Sequence, residues 1–204
     1  MKKYESWWNR KIVDHTYTTI DKFRKTLDRN KSRYEYLKLV EEISPKTILD
    51  AGCGLGLDYK MYQEKYPHIK YYGLDITRGF IVENKKNYPE VDFMVAKIQD
   101  IPLKSSSIDL VTCRAVLEHI PKPEPAISEM TRVSKKYVAI IWFIIPDIEE
   151  DDIRITQSGF YRNRYSESRI IENLINNGLK LCYITEIKGP SVMKKHELWV
   201  LEKL

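Results

Sequence analysis

The chain has 204 residues, of which 43% are hydrophobic and 31% are charged, and its formal net charge is +5. This balance is typical of a globular domain and excludes a disordered or fibrous chain, and the length allows one sizeable core with a short appendage. The small positive charge is compatible with an anionic ligand or a nucleic acid and decides between neither.

Targeting signals and membrane spans are not expected from this sequence. The first residues, MKKYESWWNRK, lack the apolar stretch of a signal peptide, and the longest apolar run, residues 137–146, is too short to span a bilayer. The three cysteines have no paired spacing, and the four histidines are scattered. We therefore expect a cytoplasmic protein with reduced thiols and no metal site.

The first 45 residues are predicted to form a basic helical segment that ends at Pro45. Apolar residues in its last part follow the i, i+3, i+4, i+7 spacing of one helix face: Tyr36, Leu39, Val40 and Ile43. We assign residues 1–45 to an N-terminal helical segment and residues 46–204 to the main domain. This segment either closes over the functional site as a lid or anchors on the sheet through its aromatic residues.

Strands and helices alternate from residue 47 onwards. Strands are predicted at about 47–49, 70–74, 91–95, 107–113, 138–145, 181–187 and 197–201. Helices are predicted at about 57–66, 80–87 and 124–135, and a fourth is capped by Ser166 and followed by Gly178. The connection between the last two strands is too short for a crossover helix. The pattern predicts an α/β fold: a doubly wound, mostly parallel seven-stranded sheet with an antiparallel last strand.

Three glycines, Gly52, Gly54 and Gly56, stand between the first strand and its helix in the stretch ILDAGCGLGLD. Open α/β sheets bind their ligands at such a turn. A dinucleotide fingerprint would require a glycine where Leu57 stands, so a pyrophosphate cradle is the weaker interpretation. Asp75 ends the next strand, 23 residues after Gly52, where a carboxylate can accept both hydroxyls of a ribose. The residues alone predict a nucleoside-like ligand.

Four stretches in order, LDAGCGLG, GLD, DIPLKSSSIDLVTCRAVLEHI and ISEMTRVSKKYVAI, resemble the class I S-adenosylmethionine-dependent methyltransferases. The resemblance is to the small-molecule branch with a methyltransferase domain of type 11, and it covers roughly residues 47–204. It implies a Rossmann-like methyltransferase fold and S-adenosyl-L-methionine as the cofactor.

The resemblance also implies a set of cofactor contacts, matched by position: Asp50, Gly52, Cys53, Gly54, Gly56, Asp75, Ile76, Ile98, Gln99, Cys113 and Arg114. The glycine stretch would line the methionine end, Asp75 would hold the ribose, and the residues around Ile98 would flank the adenine. A main-chain carbonyl at Cys113 or Arg114 would meet the cofactor's amino group.

The sequence departs from the family pattern at two positions. Lys97 stands where many members have an acid that accepts from adenine, and lysine has no acceptor. Gln99 or Asp100 takes that role, or the backbone alone reads the adenine. The metal-binding pattern E-x-x-E-H of some relatives would need an acid at Ala115, so the resemblance implies no metal.

His119, just after the fourth strand, is the candidate general base, with helix capping or packing as the alternative. Candidate substrate contacts lie in the N-terminal segment and in a polar insertion at residues 147–165: Trp8, His15, Tyr17, Tyr161, Arg162, Arg164 and Tyr165. The arginines could clamp a carboxylate or phosphate. Alternatively, they pair with the four acids at residues 149–152.

The sequence therefore predicts an S-adenosylmethionine-dependent methyltransferase. It would transfer a methyl group by in-line displacement to a small, anionic or hydroxylated metabolite, with neither a nucleic-acid nor a membrane partner. One alternative is a methyltransferase that acts on tRNA or protein, for which the basic run at residues 22–33 is the only support. The other is a non-catalytic adenosyl-ligand-binding module, which Lys97 keeps open.

Overall fold

A computed structural model describes residues 31–157, 159–188 and 195–204. The helices in this part are α1 (Lys31–Ile43), α2 (Leu57–Lys65), α3 (Arg78–Asn87), α4 (Glu124–Val133) and α5 (Glu167–Asn176), with a short 3₁₀ helix at Leu117–His119. The strands are β1 (Thr47–Ala51), β2 (Lys70–Asp75), β3 (Asp92–Val95), β4 (Ile108–Arg114), β5 (Ser134–Trp142), β6 (Leu179–Lys188) and β7 (Lys195–Lys203).

The seven strands form one sheet in the order β3-β2-β1-β4-β5-β7-β6. The pairs among β1 to β5 are parallel, whereas β7 runs antiparallel to both β5 and β6. This arrangement confirms the predicted doubly wound sheet with an antiparallel last strand. The chain moves outward from β1 to β3 and then returns to the other side of β1, so the strand order reverses between β1 and β4. Ligands bind at such a switch point in α/β sheets.

Strand β5 contributes side chains to two hydrophobic cores, one on each face of the sheet. Its last five residues are buried, and alternate side chains point to opposite faces. Val138, Ile140 and Trp142 join the core on one face, and Ala139 and Ile141 join the core on the other. Because both faces are covered, the strand has no polar alternation, which is why it reads in the sequence as one apolar run.

Some predicted boundaries and faces differ from the structure. Helix α4 ends at Val133 and β5 begins at Ser134, so the strand lies about four residues earlier than predicted. In α5, Ser166 caps the helix by accepting from the Arg169 amide, as predicted, and Ile170 and Leu174 are buried. Ile175 of the same helix, although apolar, is 63% exposed.

The described part of the N-terminal segment anchors on the sheet. Tyr36, Leu39 and Val40 of α1 are buried in the core. The Tyr36 hydroxyl donates to the carbonyl of Cys113 at 2.8 Å. The lid alternative concerns residues 1–30, which lie outside the described residues, and the division at residue 45 stays a prediction. Within the described ranges, no helix has the length and apolar character needed to cross a membrane.

Candidate functional site

A cavity of about 210 Å³ opens at the carboxyl ends of β1, β2 and β4, where the strand order reverses. Several of the predicted cofactor contacts line it together with the candidate base: Gly52, Gly54, Asp75, Ile76, Ile98, Gln99 and His119. Other lining residues were not predicted from the sequence, among them Phe80, Val116 and Ile120. Because the carboxyl ends of parallel strands share one edge, residues far apart in sequence meet here.

The glycine turn has a backbone that other residues rarely adopt. Gly52 has φ +93° and Gly54 has φ +52°, both in the left-handed region. A Cβ on Gly52 would lie 2.2 Å from Cγ2 of Val116, whereas a Cβ on Gly54 would meet no described atom within 4 Å. Gly52 is thus needed for the close approach of Val116, and Gly54 leaves open space in the cavity wall.

Asp75 is fixed by the backbone around it. Its Oδ2 accepts from the Gly54 amide at 3.0 Å, and its Oδ1 accepts from the Thr77 amide at 2.7 Å. Burial raises the pKa of this carboxyl, and the two amides oppose that effect. Each carboxylate oxygen can accept more than one hydrogen bond, so Asp75 can also accept from two ligand hydroxyls.

Five predicted cofactor contacts do not line the cavity: Asp50, Cys53, Gly56, Cys113 and Arg114. Their assignment as cofactor contacts stays a prediction, and the structure gives them contacts of their own. Cys53 and Cys113 are buried, and the Cys113 carbonyl already accepts from Tyr36. Gly56, at φ +66°, begins α2 where a Cβ would lie 3.2 Å from the Phe93 ring.

Asp50, Asp58, Arg33 and Arg114 form a buried ionic cluster behind the glycine turn. Asp58 pairs with Arg33 and, at 3.2 Å, with Arg114. Burial alone would raise the pKa of Asp58, but the two guanidinium groups lower it below its usual range. Asp50 accepts from the Tyr71 hydroxyl at 2.7 Å. Burial and the negative charge of Asp58 raise the pKa of Asp50 to about 7.

His119 stands between this cavity and a second, more open groove of about 750 Å³, and it lines both. Its Nδ1 lies 2.7 Å from the carbonyl oxygen of Tyr161. A carbonyl only accepts, so Nδ1 carries the hydrogen, and Nε2 of the neutral ring keeps a lone pair. The Phe160 ring packs edge-on against the imidazole at 5.7 Å.

The predicted substrate contacts are distributed unevenly. Arg162 and Arg164 line the second groove, and Tyr161 holds His119 through its carbonyl. The Arg164 guanidinium forms two hydrogen bonds with the Asp147 carboxylate, at 2.6 and 2.7 Å, whereas Arg164 meets Asp152 through backbone hydrogen bonds. Arg154, another arginine of the insertion, does pair with Asp152, which is one of the four acids. The predicted contacts Trp8, His15 and Tyr17 lie outside the described residues.

The structure corrects the assignment of Tyr165 as a substrate contact. Only 1% of it is exposed, and its hydroxyl donates to the carbonyl of Leu117 at 3.0 Å. The ring packs against Trp142 in the core at 6.3 Å. Tyr165 therefore ties the insertion to the 3₁₀ helix instead of contacting a substrate. The sequence gives no sign of this, because the apolar ring and the hydroxyl of tyrosine suit both a core and a binding surface.

Glu118 and Gly73 are informative residues that the sequence analysis did not single out. Glu118 lines the groove although it is 1% exposed. A Cβ on Gly73, in the middle of β2, would lie 2.4 Å from the Phe93 ring, so this strand position requires glycine. A glycine inside a strand pattern signals such a close approach.

Residues 49–141 match a family model described as "Methyltransferase domain". The chain is 28% identical over 98 residues to a probable S-adenosylmethionine-dependent methyltransferase of Mycolicibacterium smegmatis, covering 48% of this chain and 37% of the relative. It is 30% identical over 96 residues to the ubiquinone/menaquinone biosynthesis C-methyltransferase UbiE of Campylobacter jejuni, covering 44% and 40%. The chain thus spans about two-fifths of the length of these relatives.

The fold is similar to that of a solved methyltransferase. The 1,6-didemethyltoxoflavin-N1-methyltransferase of Burkholderia thailandensis, with bound 1,6-didemethyltoxoflavin and S-adenosylhomocysteine, superposes with a TM-score of 0.67 at 13% identity. The superposition covers 93% of this chain and 89% of the other. At this identity the likeness concerns the fold.

Proposed function

We propose that the chain is a class I S-adenosylmethionine-dependent methyltransferase, as its ordered motifs predict, and that it transfers a methyl group from S-adenosylmethionine to a small acceptor. The match of residues 49–141 to the methyltransferase family model supports this proposal. The observation that carries this proposal is the geometry of Asp75. The carboxylate is held by two backbone amides at the wall of a cavity, beside the open space at Gly54.

The lining of the cavity fits an adenosyl ligand. Asp75 would accept from the two ribose hydroxyls, and the buried side chains of Phe80 and Ile98 offer apolar contacts to a purine. The methionine portion would lie along Gly52 and Gly54, where the backbone is bare. Lys97 also lines the cavity and offers no acceptor, so the adenine amino group would be read by Gln99 or by main-chain carbonyls.

The cofactor supplies an activated methyl group and a good leaving group. The protein therefore has to align the acceptor with the methyl group and exclude water, and no covalent catalysis by a side chain is required. His119 adds a base where the acceptor carries a hydroxyl. Its Nε2 would take the hydroxyl proton, while the Tyr161 carbonyl keeps the ring in the required tautomer.

Calorimetric titration with S-adenosylmethionine tests the cofactor site. We expect Asp75→Ala to weaken binding about 100-fold, because two hydrogen bonds to a charged group are lost. Asp152→Ala is the matched control, since this aspartate pairs with Arg154 and does not line the cavity. Equal affinity in the two variants, or heat with NAD and none with S-adenosylmethionine, would overturn the assignment.

Transfer of a labelled methyl group to the fractions of a cell extract tests the reaction and the class of acceptor. Label in the small-molecule fraction supports the proposal, whereas label in RNA or protein favours the macromolecular alternative. If the cofactor binds and no fraction becomes labelled, the protein is a non-catalytic binding module. We expect His119→Ala to slow transfer about 10²- to 10⁴-fold if it acts as a base. An unchanged rate would leave His119 as a packing residue.

A further inference from the structure

The second groove is placed to hold the methyl acceptor. His119 lines both the cavity and the groove, so a molecule in the groove would face the cavity that contains Asp75. The groove is walled by the end of β5, the insertion and the start of β7. The inference below deepens the proposed function and rests on it, because it assigns the chemical class of the acceptor.

Glu118 places a buried carboxylate at the groove, and one of its oxygens is an unsatisfied hydrogen-bond acceptor. Its Oε1 accepts from the Phe143 amide at 3.2 Å. Its Oε2 is buried, and no donor among the described residues contacts it. Burial raises the pKa of the carboxyl, although the nearby His119 opposes this. An unpartnered buried carboxylate oxygen is costly, and a hydroxyl or amine in the groove would remove that cost.

Aromatic rings form part of the wall. Phe143 and His196 stack face to face, with ring centres 4.1 Å apart and planes within 7°. Phe160 contacts the His119 ring edge-on, with ring centres 5.7 Å apart. All of these rings line the groove. Flat rings in a wall favour a flat ligand, because stacked and edge-on contacts between rings are favourable.

Some basic side chains of the groove form ion pairs with described carboxylates, and one does not. Arg164 is bound to Asp147 through two hydrogen bonds, and Lys195 pairs with Glu186 at 2.7 Å. Arg162 lines the groove, and none of the described carboxylates forms an ion pair with it. A guanidinium in this position can bind a carboxylate through two parallel hydrogen bonds. Arg162 is therefore the cation that a ligand can engage without breaking an existing pair.

We infer that the groove binds a planar aromatic acceptor that carries two hydroxyls and a carboxylate. A ring hydroxyl donates to Oε2 of Glu118, the ring lies against Phe143, and the carboxylate meets Arg162. In the transfer step a second ring hydroxyl gives its proton to Nε2 of His119, and its oxygen forms the bond to the methyl carbon. The electron pair of the broken carbon–sulfur bond leaves with the sulfur, which ends as a neutral thioether.

Binding of three small probes, measured by calorimetry with S-adenosylhomocysteine present, tests the inference without requiring turnover. The probe 3,4-dihydroxybenzoate has all the required groups, catechol lacks the carboxylate, and benzoate lacks the hydroxyls. We expect 3,4-dihydroxybenzoate to bind at least about tenfold more tightly than either of the other two, because catechol loses the contact with Arg162 and benzoate loses those with Glu118 and His119. Equal affinities for the three probes would overturn the inference.

Two variants assign the contacts. Glu118→Gln keeps the bond to the Phe143 amide but turns an NH₂ group toward the ligand, so we expect about tenfold weaker binding of the two hydroxylated probes and unchanged binding of benzoate. Arg162→Ala should weaken the two carboxylates about tenfold and leave catechol unchanged. Arg154→Ala is the matched control, because this arginine of the same insertion pairs with Asp152. A loss in Arg154→Ala equal to that in Arg162→Ala contradicts the inference.

The same titrations separate this inference from the proposed function. Binding of S-adenosylhomocysteine with no preference among the probes would overturn the acceptor assignment and leave the methyltransferase proposal intact. Preference among the probes without binding of S-adenosylhomocysteine would overturn the methyltransferase proposal instead. If circular dichroism shows that Glu118→Gln is unfolded, the three probes and the matched arginine variants still test the acceptor assignment.

Discussion

The cavity that contains Asp75 and the buried ionic cluster that contains Asp50 lie next to each other, at the ends of β2 and β1. Both are built on a carboxylate close to the carboxyl end of a central strand. Asp75 is held by backbone amides and faces a cavity. Asp50 is 1% exposed and accepts from Tyr71, next to the pair of Asp58 with Arg33 and Arg114.

The difference shows which property makes an acidic residue available to a ligand. Backbone amides orient the Asp75 carboxylate without neutralising it, so it can still bind donors from outside. The Asp58 carboxylate is neutralised by side chains that are themselves buried, so those groups serve packing and the position of α1. The ionic cluster should therefore control stability, while the cavity should control ligand affinity.

The largest effect is expected from Asp58→Ala, which would leave Arg33 and Arg114 buried without their partner. Removing one side of a buried ion pair costs about 3–5 kcal/mol in the free energy of unfolding. Urea unfolding monitored by circular dichroism measures this change. The exposed pair of Asp152 with Arg154 provides the control, and Asp152→Ala should change stability little. Similar stability in the two variants would contradict a structural role for the cluster.

A smaller effect is expected at the glycine turn, where two glycines form a matched pair. Gly52→Ala should cost about 2–4 kcal/mol, because the backbone is strained for alanine and the new methyl group collides with Val116. Gly54→Ala meets open space and should cost only the backbone strain, about 1–2 kcal/mol. Urea unfolding compares them.

The double variant Gly52→Ala with Val116→Ala identifies the cause of that difference. Removing the Val116 methyl groups should recover part of the loss, since it removes the collision and leaves the strain. If Gly52→Ala and Gly54→Ala were equally stable, the close contact between Gly52 and Val116 would not matter in the folded protein.

The smallest effect is expected from the titration of Asp50, measured as the change in the free energy of unfolding per pH unit. In the folded protein its pKa is raised to about 7 by burial and by Asp58, whereas in the unfolded chain it is about 4. Unfolding between these values releases a proton, so this group makes stability fall as the pH rises from about 4 to about 7. The slope from one full proton is about 1.4 kcal/mol per pH unit.

Urea unfolding of the wild type and of Asp50→Asn across this pH window isolates the effect. Asparagine does not titrate and can still accept from Tyr71, so the difference between the two curves should change with pH in this window and be constant above it. Curves that stay parallel from pH 4 to pH 8 would show that Asp50 is ionised in the folded protein.

The sequence predicted the sheet well, because each central strand is covered on both faces and therefore appears as an apolar run. It also predicted that Gly52, Gly54 and Asp75, which follow or end two successive strands, belong to one site, and these residues line the cavity. The resemblance to the methyltransferases assigned Asp50 to the same site, matched by position in the motif. Only the structure separates the two aspartates, because their environments depend on Tyr71, Arg33 and Arg114 from other elements.

In the insertion at residues 147–165, the sequence did not predict which side chains line the groove. Arg162, Arg164 and Tyr165 form one polar and aromatic cluster in the sequence, yet they point to three environments. Arg162 lines the groove without a described ion-pair partner, Arg164 binds Asp147, and Tyr165 enters the core. The insertion has no helical or strand periodicity from which these directions could be read.

By itself, the sequence determined the layered α/β architecture, the similarity to methyltransferases and the turn of the chain at the glycines. These features depend on periodicity, on backbone freedom and on residues that are close along the chain. Tertiary structure alone decided which carboxylates are neutralised, which arginine is left for a ligand, and that Glu118 opens onto a groove. Those properties depend on the distance between charged groups brought together from separate elements, and the order of residues along the chain does not contain that distance.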